Sequence, residues 1–328
     1  MPIDISIVLE RADAIWQRGE EIAGHVRVRS DAKTKVTVPL QLEWHTHGKK
    51  AERAIENVSM EELFDGELAA GEERNLPFTV TVPATGDAYA GQLFQVELRL
   101  RALAEVGDEF RPAAAITPIT LTPSPPARAF RVEPVSHTTS EHGMGCLLQS
   151  LGIFVLGALG VLAALAFPEM GFLAPFGAIV ALIGIALALV MVKRALAERK
   201  VGAVGLTVEQ GDTAALREAP GTTPLHATLT TRATGATAKV RLRVQETTGQ
   251  RHGDDRVTYH EPLYDETIEL VAEAPGTFRG EIPLPSPAEV PLPLRQGRNL
   301  IEWELFVTVD ASGAPEWLQR YALAVSTV

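Results

Sequence analysis

His45 and His47 stand one residue apart in Trp44-His45-Thr46-His47. On an extended strand both imidazoles would point to one face, where they could ligate a borderline metal such as zinc. The sequence nominates no third ligand, and the reading adopted is two ordinary surface histidines. Asp254-Asp255 and Asp265-Glu266 read as solvated loop acids. Cys146 is the only cysteine, which excludes an intramolecular disulfide. It stands among small and apolar residues, a poor place to activate a thiolate, and reads as an inert thiol. The chain contains no Gly-rich phosphate loop of the Walker type, no Gly-x-Ser-x-Gly elbow and no His-Glu-x-x-His. No catalytic, cofactor-binding or metal-ligating residue is assigned, no cofactor is expected, and the chain reads as a non-enzyme.

The elements that would carry these residues are strands. In residues 36–44, Val36, Val38, Leu40, Leu42 and Trp44 fall on one face, against Thr37, Gln41 and Glu43. In residues 94–101, Phe94, Val96, Leu98 and Leu100 alternate with Gln95, Glu97, Arg99 and Arg101. Successive strand side chains point to opposite faces, so this pattern predicts one face in the core and one in water. Turn signals at Gly19, Gly48, Gly66, Gly71 and Pro83 to Gly86 separate the runs, as in an antiparallel β-sandwich. Pro39 inside its run predicts an edge or a bulge. Later, Val240, Leu242 and Val244 alternate with Arg241 and Arg243, and Ile301, Trp303, Leu305, Val307 and Val309 with Glu302, Glu304 and Thr308.

The halves also resemble each other. LFQVELRL at 93–100 aligns with LIEWELFV at 300–307, and Phe78 and Pro83 keep the spacing of Phe278 and Pro283.

Between the halves lie two uncharged runs, Leu147 to Phe167 and Gly171 to Val192, joined by Pro168-Glu169-Met170. At about 1.5 Å per helical residue, each is long enough for a bilayer core of about 30 Å. They predict a transmembrane hairpin at 147–192. Lys193, Arg194, Arg199 and Lys200 follow it, so both chain ends are expected in the cytoplasm of an inner-membrane, multi-pass protein. The expected domains are 1–122, a Pro/Ser-rich linker at 123–146, the hairpin, a basic segment at 193–202, and 203–328.

The formal net charge is −11, from 30 Lys and Arg against 41 Asp and Glu. Such a balance repels polyphosphate, so nucleic acid is not an expected partner. The expected partners are the lipid bilayer and an unidentified protein.

The succession ISIVLE, GEEIAGHVRV, LQLEWHTHG, LFDGELAAGEERNLPFTVTVP and YAGQLFQVELRLRA resembles the N-terminal sandwich of arrestin-like proteins, a group that includes the bacterial sporulation-control proteins. The Gly-Glu-x-x-x-Gly segment at 19–24 and Tyr-x-Gly at 89–91 are its more specific pieces. Residues 203–327 look like the second arrestin sandwich, through GTFRGEIPLP and NLIEWELFVTVD. The resemblance implies two antiparallel β-sandwiches and a non-catalytic scaffold or adaptor that recruits partner proteins. The alternative is an accessory subunit of a membrane transport or secretion complex, contacting its partner through the hairpin. No phosphate-sensing lysine pair and no Pro-Pro-x-Tyr motif is present, so neither phosphate sensing nor ubiquitin-ligase recruitment is implied.

Overall fold

In a computed structural model, the described residues are 3–11, 15–86, 88–107, 112–122, 130–138, 155, 173–211, 223–252 and 255–327. They form a mainly β chain of antiparallel sheets. The strands before the helix are β1 (Ile3–Leu9), β2 (Glu21–Ser30), β3 (Thr34–His47), β4 (Ala54–Leu68), β5 (Glu73–Thr81), β6 (Tyr89–Ala90), β7 (Gln95–Ala104), β8 (Ala113–Ile119), β9 (Phe130–Val132) and β10 (Val135–Thr138). Helix α1 (Leu173–Val201) follows. Then come β11 (Gly205–Gln210), β12 (Leu225–Thr230), β13 (Thr237–His252), β14 (Asp255–Ala274), β15 (Thr277–Ile282), β16 (Leu294–Gln296), β17 (Asn299–Asp310), β18 (Trp317–Ala322) and β19 (Val325–Thr327).

The strand order recurs. One sheet runs β1-β2-β5, and another runs β4-β3-β7-β6 with β8 also on β7. The later strands repeat both orders, as β11-β12-β15 and then β14-β13-β17-β16 with β18 on β17. Phe78 on β5 and Phe278 on β15 hold equivalent buried places, as the aligned residues imply. Leu98 faces Ile119 in one set, and Leu305 faces Tyr321 in the other.

Two compact units emerge from the residue contacts. The first comprises Met1–Ala127, Gln245–Leu263 and Pro291–Glu302, and the second Arg128–Val244, Tyr264–Val290 and Trp303–Val328. In the first unit, Ile22, Val26, Val28, Phe78 and Val80 form the buried face of one sheet. Val36, Val38, Leu40, Leu42, Val96, Leu98 and Leu100 form that of the other. Pro39 sits where the β3–β4 register shifts, between Val38 and Pro39. A bulge thus accommodates a residue with no N–H inside a paired strand.

In the second unit, β9 pairs with β19 and β10 with β11, so strands lie within the 123–146 segment. Phe130 is buried edge-on against Trp303, with ring centroids 4.8 Å apart. Apolar side chains with such a contact to make are what draw this Pro-containing stretch into strands.

Three sequence expectations are corrected. Among the described residues, no helix is long and apolar enough to cross a membrane. The transmembrane hairpin and the multi-pass inner-membrane location are therefore overturned. Apart from Val155, the first run lies outside the described residues, as does Cys146. The second run does not end at Val192: α1 continues through Lys193, Arg194, Glu198, Arg199 and Lys200 to Val201. There Ala197 and Val201 are buried, and Lys200 Nζ donates to the Ser312 carbonyl at 2.9 Å. Gly202, at a φ of 73°, terminates the helix in the left-handed region, which only glycine enters without a steric penalty.

The second correction concerns the strand faces assigned to water. Glu43 and Glu304 are buried, as is Arg99. Alternation marks two faces but does not reveal that the polar one is covered. Glu43 and Arg99 are tolerated there because they pair, and Glu304 pairs with Arg320. The third concerns the acids. Asp265 and Glu266 belong to β14 rather than a loop, and Arg241 Nε donates to Asp265 Oδ1 at 2.5 Å. Asp254 lies outside the described residues.

Candidate functional site

The polar groups of the first unit gather where β3 and β7 run antiparallel. Their register places Glu43 opposite Arg99, His45 opposite Glu97, and His47 opposite Gln95. Because strand side chains alternate, Glu43, His45 and His47 share one face with Glu97 and Arg99. His45, expected at the surface, is instead 4% exposed, held on a strand whose two faces are both covered here.

Arg99 Nε donates to Glu43 Oε1 at 2.6 Å, so the two buried charges pair, while Glu43 Oε2 is buried without a hydrogen-bond partner. Beside them, His45 Nδ1 lies 3.4 Å from Glu97 Oε1 and His47 Nδ1 lies 3.8 Å from the same oxygen. The two imidazoles stack, with centroids 5.2 Å apart and planes at 19°. One ligand atom from each of His45, His47 and Glu97 lies within 4.8 Å of the others. Burial holds the His45 imidazole below its usual range, and the Arg99 guanidinium adds to this, against the hydrogen bond to the Glu97 carboxylate. The neutral ring, with a lone pair to offer, is thus the favoured form. His45 Nε2 and His47 Nδ1 are buried without a hydrogen-bond partner.

A cleft of about 600 Å³ adjoins the cluster, lined by His47, Gly48, Lys49 and residues 91–95. Glu246, on β13, is fully buried and holds the 92–93 backbone that lines this cleft. The Glu246 carboxylate accepts from the Leu93 N–H at 2.7 Å, from the Gln92 N–H at 3.1 Å and from the Tyr89 hydroxyl. Burial, with the hydrogen bond to Glu246 next, pushes the Tyr89 phenol up from its ordinary value. Asn299 braces the neighbouring turn: its amide donates to the Glu52 carbonyl at 2.8 Å, and Thr248 donates to its oxygen. Lys50 Nζ stands 4.7 Å from the Tyr259 ring centroid.

Of the residues singled out in the sequence, His45 and His47 are brought together, and Glu97 joins them. Asp265 and Glu266 stand apart from the cluster, in the second unit. Glu97 and Glu246 carried no sequence signal of their own. The first is identified only by the β3–β7 register, and the second lies far along the chain from the loop it holds. Tyr89 and Gly91, quoted from the sequence for the arrestin-like resemblance, lie against Glu246.

A mainly β protein of antiparallel sheets, repeating one strand order, is the class this fold defines. Among solved structures, the chain is similar to the sporulation control protein Spo0M from Bacillus subtilis. The match has 12% identity and a TM-score of 0.31, and covers 79% of this chain and 90% of that one. No family model matches the sequence, and no curated protein does.

Proposed function

We propose that the chain is a non-catalytic, arrestin-like scaffold that binds an extended segment of a partner protein along strand β4. The observation that carries this reading is the state of β4 itself. It stands at the end of its sheet, hydrogen-bonded to β3 on one side. Its side chains are exposed from Ile55 through Glu62, including Ile55, Val58 and Met60, the last at 63%. An unpaired strand edge offers alternating N–H and C=O groups to any extended chain, and strand addition is a common way to recruit a peptide.

Charge narrows the partner. Glu56, Glu61 and Glu62 make the exposed stretch of β4 acidic, whereas Asp65 and Glu67 already pair with Lys35 and Lys33. A second β4 would be repelled, whereas an extended segment carrying Lys or Arg between small apolar residues would be attracted. The acids therefore serve both to prevent self-pairing and to select a basic partner. The sandwich architecture of the family fits the two half-buried sheets of the first unit. The accessory-subunit reading depended on a membrane hairpin and is not carried further.

Affinity capture with the full chain, comparing wild type with Val58→Lys/Met60→Lys, tests the proposal. Wild type should retain a defined set of partners, lost at high salt and lost in the variant. An unchanged set in the variant would overturn the docking strand.

A further inference from the structure

We infer that His45, His47 and Glu97 form a binding site for a divalent metal ion of the zinc class, with three protein ligands and one open position. The inference is independent of the scaffold reading and rests on the cross-strand geometry of β3 and β7.

In a tetrahedral zinc site, metal–nitrogen and metal–oxygen distances of about 2.0–2.2 Å put neighbouring ligand atoms about 3.3–3.5 Å apart. The His45 Nδ1 to Glu97 Oε1 separation of 3.4 Å already has that value. The His47 Nδ1 to Glu97 Oε1 separation of 3.8 Å is within a few tenths of it. The spacing arises from the fold rather than from flexible side chains meeting by chance. His45 and Glu97 are direct cross-strand partners, and His47 is the next residue on the same face of β3.

The chemistry of the donors agrees with the distances. Zinc takes imidazole nitrogen and carboxylate oxygen, and it binds the neutral imidazole. His47 Nδ1 is buried with no hydrogen-bond partner, a ring nitrogen that the protein leaves unused. His45 Nε2 is likewise without a partner, so ligation through Nδ1 would fix the proton on Nε2. Arg99, which acts on His45, is already paired with Glu43. Calcium and magnesium are disfavoured, because both require mostly oxygen ligands. Two histidines and one carboxylate leave the fourth position for water or for a group entering the cleft that His47 also lines.

The test uses the full chain, stripped of metal with a chelator and titrated with Zn²⁺ by calorimetry and with Co²⁺ by visible absorption. One equivalent should bind with Kd below about 10 μM, and Co²⁺ should show the intense absorption bands of tetrahedral coordination. Loss of a group that merely orients a ligand costs about 10–100-fold in affinity, so His47→Ala and Glu97→Gln should each weaken binding by at least tenfold. His226→Ala, an exposed histidine beside Glu281 in the second unit, should change nothing. Far-UV circular dichroism confirms that each variant is folded, and the half-exposed His47 makes His47→Ala the decisive variant should Glu97→Gln unfold. Absence of saturable binding in the wild type, or equal affinity in wild type and His47→Ala, would overturn the site.

Discussion

Glu246 and Gly91 are matched to each other: a Cβ added at residue 91 would land within the Glu246 carboxylate and against the Tyr89 ring. Gly91 is present because the acid leaves no room for a side chain, and the acid is satisfied because the backbone comes so close. Gly91→Ala should cost about 1–3 kcal/mol, the usual range for overpacking a filled site. Denaturant unfolding measures it, and a cost under 0.5 kcal/mol would show that the loop shifts without penalty.

The Tyr89 phenol gives a pH prediction. An unfolded tyrosine ionises near about pH 10, and the folded phenol ionises higher because of burial and its bond to Glu246. Below the unfolded value both states keep the proton, and the contribution is fully present. Above it the unfolded chain loses the proton first, so stability falls as pH rises. Tyr89→Phe should remove part of that alkaline slope. Unfolding midpoints measured from pH 8 to 11 would show it, and identical slopes would disprove the contribution.

Arg99 and Glu43 form a third test. Arg99→Ala would leave the fully buried Glu43 carboxylate without its counter-charge. Breaking one partner of such a pair costs about 3–5 kcal/mol. Replacing both, as Glu43→Leu with Arg99→Met, should recover much of that loss. A double-mutant cycle by urea denaturation measures the coupling, and additive losses would mean the pair is not coupled.

Val96 and Leu305 occupy equivalent strands and are both buried. Val96→Asp or Leu305→Asp should cost more than about 3 kcal/mol, since each buries an unpaired carboxylate. Met60→Lys, on the exposed β4 edge, should stay within about 0.5 kcal/mol of wild type. Thermal melts of the three variants distinguish these outcomes, and equal damage from all three would place β4 in a covered environment.

Much of the first sheet system was legible in the sequence. Period-two alternation found the buried faces of β3 and β7, and the Phe78/Phe278 correspondence anticipated the recurring strand order. What stayed hidden was set by pairing across the sheet. Nothing near His45 and His47 marks Glu97, because their meeting depends on a register between strands about fifty residues apart. Glu43 and Arg99 looked solvent-facing because alternation separates two faces without saying whether water reaches the polar one. The apolar run at 171–192 was read from its length, its lack of charge and the bases that follow it. Its helix continues instead into a charged final turn tied to Ser312, a contact no local pattern displays.

The first compact unit draws Gln245–Leu263 and Pro291–Glu302 from far beyond its opening segment. On a ribosome adding about 5–20 residues per second, roughly 10–35 s separate the synthesis of Ala127 from that of Glu302. Through the earlier part of that interval the Gln92 and Leu93 amides must hydrogen-bond water, because Glu246 does not yet exist. A gene fragment ending near residue 122 would stay in that waiting condition permanently. Expressing the opening segment by itself therefore yields an unfinished body, and fusing 245–263 and 291–302 back onto it is the minimal repair.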